Sequence, residues 1–162
     1  MREIKPESLI FDMDGTIVST VEDITDSVNV ALLQFGLEPI SVKECIPMLG
    51  NGSVMLIKRA MKGKKEELFD DVFNTYYSYY HQHYCVKTKP YDGIVKLLSD
   101  LKQNGIWLAV VSNKADAAVQ DLCKQYFEGL FDIAVGECPG MEKKPAPDAV
   151  NLVLDKLHIS RE

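Results

Sequence analysis

Two carboxylates stand one residue apart in Asp12-Met13-Asp14-Gly15-Thr16, directly after the apolar run Leu9-Ile10-Phe11. Such a run reads as the end of a strand buried on both faces. Side chains alternate along a strand, so Asp12 and Asp14 lean one way and Met13 the other. Gly15 lets the backbone turn sharply without a Cβ clash. The acids would then sit at the carboxyl edge of a parallel sheet, where open α/β folds bind ligands, and two anions that close invite a divalent cation. The plainer reading is a strand end followed by an Asx-type turn. Two later stretches fit the same site: Ser112-Asn113 after the apolar run Ile106 to Val111, and Lys143-Lys144 in the loop after a third strand, Phe131 to Val135. The set comprises a carboxylate nucleophile, a second acid, hydroxyl and amide donors and an ammonium. Phosphoryl transfer needs this combination, because its catalysis is mostly positioning and neutralisation of spreading charge.

The elements that must hold these residues fall into two groups. From Val21 to Phe35 apolar residues recur at helical spacing, and Gly36 stops the run. Ser41-Val42-Lys43-Glu44 has capping-box spacing and starts a short second helix. After the loop Leu49-Gly50-Asn51-Gly52, Ser53 is placed to cap a third helix running to Met61, and a fourth follows from Lys65 to Cys85. These four helices read as a bundle inserted after the first strand. Beyond Pro90 the pattern alternates: a helix from Gly93 to Gln103, the strand from Ile106, a helix from Ala115 to Tyr126, the strand from Phe131, and a last helix opened by Pro147. Alternation of this kind implies right-handed crossovers and a parallel sheet. The expected organisation is an α/β core from residues 1–16 and 89–162, with a helical insertion over 17–88.

Composition bounds the rest. The 162 residues are 46% hydrophobic, enough for a real core, and the formal net charge of −6 argues against nonspecific nucleic-acid binding. No apolar stretch reaches membrane-spanning length, and no signal peptide is evident. Cys45, Cys85, Cys123 and Cys138 form no C-x-x-C pair, which suits reduced thiols in the cytoplasm. His81 and His83, two apart on a helix, cannot share a face and are poor metal partners.

These motifs resemble the haloacid dehalogenase superfamily of phosphohydrolases, in the branch with a helical cap after the first strand. The D-x-D-G-T motif stands as Asp12 to Thr16, the serine ending the second strand as Ser112, and the K-P-x-P lysine as Lys144. The cap loop Leu49-Gly50-Asn51-Gly52 with Arg59 is similar to that of phosphoglycolate phosphatases. The resemblance implies that Asp12 attacks phosphorus to form an aspartyl-phosphate and that Asp14 is the general acid and base. It places Gly15, Thr16, Ser112 and Asn113 around the phosphate, with Lys144 supplying positive charge. Mg2+ would bind the Asp12 carboxylate and the Asp14 main-chain carbonyl, and the substrate would be a small phosphorylated metabolite. Gly50, Asn51, Gly52 and Arg59 would meet it from the cap. Bland readings stand beside these: a helix N-cap for Ser112-Asn113, a tight turn for Gly50 and Gly52, a helix-surface arginine for Arg59. Lys143 reads as solvated, since the K-P-x-P register selects Lys144.

The chain departs from the family in one respect. A fourth, acidic motif, on a further strand beside the first, has no counterpart before Ile159-Ser160-Arg161-Glu162. The expectation is a portion of a longer enzyme, with weakened metal affinity and an unpaired edge on the first strand. The competing functions are a sugar-phosphate phosphatase or phosphomutase using the same intermediate, and a non-catalytic phosphate-binding fragment.

Overall fold

The structure is a computed structural model that describes residues 6–159. The expected core residues 1–5, and the chain end beyond Ile159, lie outside the described residues. The chain divides into two compact units, Met1–Ile17 with Pro90–Glu162, and Val18–Lys89.

The first unit is built on a parallel sheet of β1 (Ser8–Phe11), β4 (Trp107–Ala115) and β5 (Ile133–Glu137), in the order β1-β4-β5. Two-residue strands β2 (Val18–Ser19) and β3 (Lys89–Pro90) pair with each other where the chain leaves and re-enters this unit. Helices α5 (Ile94–Gln103), α6 (Asp116–Tyr126) and α7 (Asp148–Leu157) alternate with the strands, and all three pack on β4. The central strand is apolar on both sides, as a covered parallel strand must be. Ala109 and Val111 meet Val135, Ala149 and Val153 of the β5 and α7 side, while Leu108 and Val110, also fully buried, alternate to the other face.

The second unit holds α1 (Val21–Gln34), α2 (Val42–Cys45), α3 (Gly52–Met61) and α4 (Phe69–His83) around a core of Val28, Leu32, Ile57, Val72 and Tyr76. Ser41 and Glu44 form the anticipated capping box: Glu44 N–H donates to Ser41 Oγ, and Ser41 N–H donates to Glu44 Oε2 at 2.8 Å. Asp23, buried on α1, closes the unit at its base. Its carboxylate accepts the main-chain N–H groups of Val86, Lys87 and Thr88 at 2.8–3.0 Å. One acid thereby ties the start of the insertion to its return.

Several boundaries differ from expectation. The third helix begins at Gly52, with Asn51 rather than Ser53 at the N-cap position and no side-chain capping hydrogen bond, and Gly52, at φ +80°, turns the chain into it. A 3-10 turn over Glu66–Leu68 precedes α4, which begins at Phe69 rather than Lys65. The second core strand runs on through Ala115 instead of ending at Val111, and the third lies at 133–137 rather than 131–135. The extension of β4 is irregular. Val111 pairs with Val135 and Ala115 with Glu137, so β4 spends four residues where β5 spends two. The extra residues bulge, and bulges re-aim side chains near active sites.

Candidate active site

Asp12 and Asp14 follow β1, whose register with β4 (Ser8 opposite Trp107 through Phe11 opposite Val110) carries them to the strand end beside Ser112. Met13 between them is fully buried, as alternation requires. The turn closes when the N–H groups of Thr16 and Ile17 donate to the Met13 carbonyl at 3.2 and 3.1 Å. Gly15 sits at φ +77° with no atom within 4 Å of a virtual Cβ, so backbone conformation, not space, demands glycine.

Each carboxylate has its own lysine. Lys144 Nζ donates to Asp12 Oδ1 at 2.6 Å and also to the Val111 carbonyl at 2.7 Å. Lys114 Nζ donates to Asp14 Oδ1 at 2.9 Å. The two ammonium groups differ in setting: the side chain of Lys144 is 30% exposed and that of Lys114 only 4%.

The bulged segment Ser112-Asn113-Lys114 supplies the remaining groups. Ser112, buried, accepts the Lys114 N–H on its Oγ at 3.2 Å, which occupies a lone pair and leaves the hydroxyl proton to donate elsewhere. The Asn113 carboxamide lies on the main chain of Lys144: its Nδ2 donates to the Lys144 carbonyl at 3.0 Å, and its Oδ1 accepts the Lys144 N–H at 2.8 Å. Gly136 packs so tightly against the far side of the bulge that a virtual Cβ would lie 2.4 Å from Asp116 Cα and 2.7 Å from the Lys114 carbonyl. Its N–H donates to Asp116 Oδ1 at 2.8 Å. Lys143, beside Lys144, pairs with Glu137 at 2.8 Å.

Asp12, Asp14, Gly15, Thr16, Ser112, Asn113 and Lys144 thus converge within one unit, although Thr16 spends its N–H on the turn. The cap residues belong to the other unit. There Arg59 Nη1 donates to the Met48 carbonyl at 2.9 Å, anchoring the segment that leads into Gly50-Asn51-Gly52. His81 stacks on Tyr77, and His83 stacks on Tyr79 with ring centroids 3.9 Å apart.

For a metal, the described residues contain no group of three or more His, Cys, Asp or Glu side chains able to hold one. The available donors are the Asp12 carboxylate and the Asp14 main-chain carbonyl. These are hard oxygens of the type Mg2+ takes, and Mg2+ habitually binds one or two carboxylates and completes its shell with water and substrate phosphate. The donor set fits that habit.

Sequence reading missed Lys114, Asp23 and the Asp116–Gly136 contact. A basic residue three places after the apolar run Ile106 to Val111 was a signal for the first. The other two are held by main-chain groups, which leave no residue-type signature.

Comparison with known proteins agrees with this geometry. The sequence profile of the haloacid dehalogenase-like hydrolases matches residues 9–162. The chain is 34% identical to phosphoglycolate phosphatase of Aquifex aeolicus over 154 residues, spanning 92% of this chain and 69% of that protein. With the phosphoglycolate phosphatase of Neisseria meningitidis serogroup A it shares 32% identity over 147 residues, 87% of this chain and 63% of that protein. The crystal structure of a candidate phosphoglycolate phosphatase from Lactobacillus delbrueckii subsp. bulgaricus superposes with a TM-score of 0.91 at 35% identity, covering 98% of this chain and 76% of that one. This chain therefore spans about two thirds to three quarters of the length of the proteins it matches. Sequence profile, relatives and fold coincide: the chain belongs to the haloacid dehalogenase-like hydrolases.

Proposed function

We propose that this chain carries the catalytic centre of a phosphomonoesterase acting on a small phosphorylated metabolite, of which 2-phosphoglycolate is the leading candidate. The observation that carries the reading is the pairing of Asp12 and Asp14 with two separate lysines, Lys144 from the loop after β5 and Lys114 from the bulged end of β4. The relatives named phosphoglycolate phosphatase support the substrate class, and the four free thiols suit a cytoplasmic setting.

In this mechanism the carboxylate of Asp12, steered by Lys144 on Oδ1, attacks phosphorus through its other oxygen. The bond from phosphorus to the alcohol oxygen breaks, and that oxygen takes the proton held by Asp14. Ser112 donates its hydroxyl proton to a phosphoryl oxygen, and the Lys144 ammonium offsets the charge gathering there. Water then attacks the aspartyl-phosphate while Asp14, now a carboxylate, accepts its proton. Orthophosphate leaves, and Asp12 is restored. Mg2+, held by Asp12 and the Asp14 carbonyl, supplies further charge neutralisation when bound.

The test is phosphate release from 2-phosphoglycolate and p-nitrophenyl phosphate, with and without Mg2+, by this chain and by Asp12→Asn. Mg2+-dependent release that falls by on the order of 10³-fold or more in Asp12→Asn is the expected result. Release undiminished in Asp12→Asn would reject Asp12 as nucleophile. Phosphate binding without turnover would establish the non-catalytic alternative instead.

A further inference from the structure

Lys114 takes no step in the chemistry just described, yet its side chain is more deeply buried than that of Lys144. A lysine that far from water is costly unless paired, and an apolar side chain of similar volume would fill the space without that cost. The protein instead builds a platform for it. The β4 bulge places Lys114 three residues beyond the last regular pair, Val111 with Val135. Its main-chain N–H donates to Ser112 Oγ, and its carbonyl lies where only a glycine fits at position 136 of β5. The ammonium donates to Asp14 Oδ1 at 2.9 Å.

Asp14 needs such a partner. It sits on a turn at the end of the four-residue strand β1, followed by a glycine in the left-handed region. Its carboxyl must meet first the leaving oxygen and later the attacking water. Displacement of a reacting group by about 1 Å can cost about 10²-fold in rate.

We propose that Lys114 is the positioning residue for proton transfer: its ammonium grips Oδ1 of Asp14 and so presents Oδ2 toward the leaving oxygen. This rests on the reading of Asp14 as general acid and base. It adds a fifth group to the machinery, one that acts through Asp14. Lys144 serves the attacking carboxylate, and Lys114 serves the carboxyl that handles protons.

The experiment compares kcat/KM for 2-phosphoglycolate, whose alkoxide leaving group needs a proton, with that for p-nitrophenyl phosphate, whose leaving group needs almost none. The unmutated chain, Lys114→Met and Lys114→Arg are assayed. In Lys114→Met the value for 2-phosphoglycolate should fall about 10²-fold, and that for p-nitrophenyl phosphate by less than about 5-fold. Lys114→Arg, which retains a cation, should recover most of the loss. A fall of equal size on both substrates, or none on either, overturns the proposal, because a merely structural lysine does not discriminate between leaving groups. Where Lys114→Met lacks a cooperative thermal transition, Lys114→Gln carries the same comparison with the same criterion. An unmutated chain that releases phosphate from neither substrate refutes the phosphomonoesterase reading itself, a result distinct from a failed discrimination between substrates.

Discussion

Asn113 and Lys144, 31 residues apart, exchange two hydrogen bonds in which the asparagine carboxamide mimics a strand partner for the lysine main chain. The side chain of Lys144 can reach Asp12 only if its backbone is held, and this pairing holds it. Asn113 therefore acts through Lys144. Asn113→Ala should cost about 2 kcal/mol, roughly 1 per hydrogen bond, and lower kcat more than it raises KM. Thermal unfolding together with steady-state kinetics on p-nitrophenyl phosphate checks both parts.

Lys144 itself contributes charge where the phosphoryl group would bind. Lys144→Met should reduce kcat by about 10²–10³-fold, the usual loss on removing one preorganised donor from a transition state. An unchanged kcat in a folded variant would remove Lys144 from the mechanism.

Gly136 tests the platform beneath the bulge. A methyl group there would meet the main chain of Asp116 and Lys114, atoms that cannot rotate away. Gly136→Ala should destabilise by about 1–3 kcal/mol, read from the urea midpoint at constant slope. Any loss of activity in the folded fraction then reports on the placement of Ser112, Asn113 and Lys114.

In the helical unit, Asp23 accepts three main-chain N–H groups from the segment that precedes β3. Asp23→Asn turns one acceptor oxygen into a donor that faces those donors. A loss on the order of 2 kcal/mol is expected in chemical denaturation.

Glu44 gives a pH signature. Hydrogen bonds from Ser41, and the Lys62 ammonium 3.0 Å away, lower its carboxyl from 4.5 to about 2. Because the folded value is the lower one, this contribution is complete above about pH 4.5 and is lost as the pH falls through about 2. Carboxyl NMR should show Glu44 ionised at pH 3, and Glu44→Gln should flatten the acid limb of the stability curve.

The sheet, the helical insertion and the two acids were legible because their signals are local. An apolar run bounded by glycine, a helical stripe and a D-x-D-G-T turn are all written in consecutive residues. Capping by Ser41 and Glu44 was equally plain at three-residue spacing. The partner of Asn113 was not, since it depends on where a distant loop passes. Nor was the aim of Lys114 toward Asp14: a strand of regular alternation gives no warning that pairing with β5 will slip by two residues. The clamp at Asp23 is hidden for another reason. Main-chain N–H groups 63 to 65 residues away can belong to any sequence.

Among the described residues, the strand that delivers Asp12 is four residues long and is paired along one edge, to β4. Catalytic order and fraying of that strand are consequently a single equilibrium: each opening of the β1–β4 ladder disperses Asp12 and Asp14 together. Amide hydrogen exchange at Ile10 and Phe11 would then measure the fraction of molecules with an assembled nucleophile. Anything that ties down the outer edge of β1 would raise that fraction without touching a reacting atom.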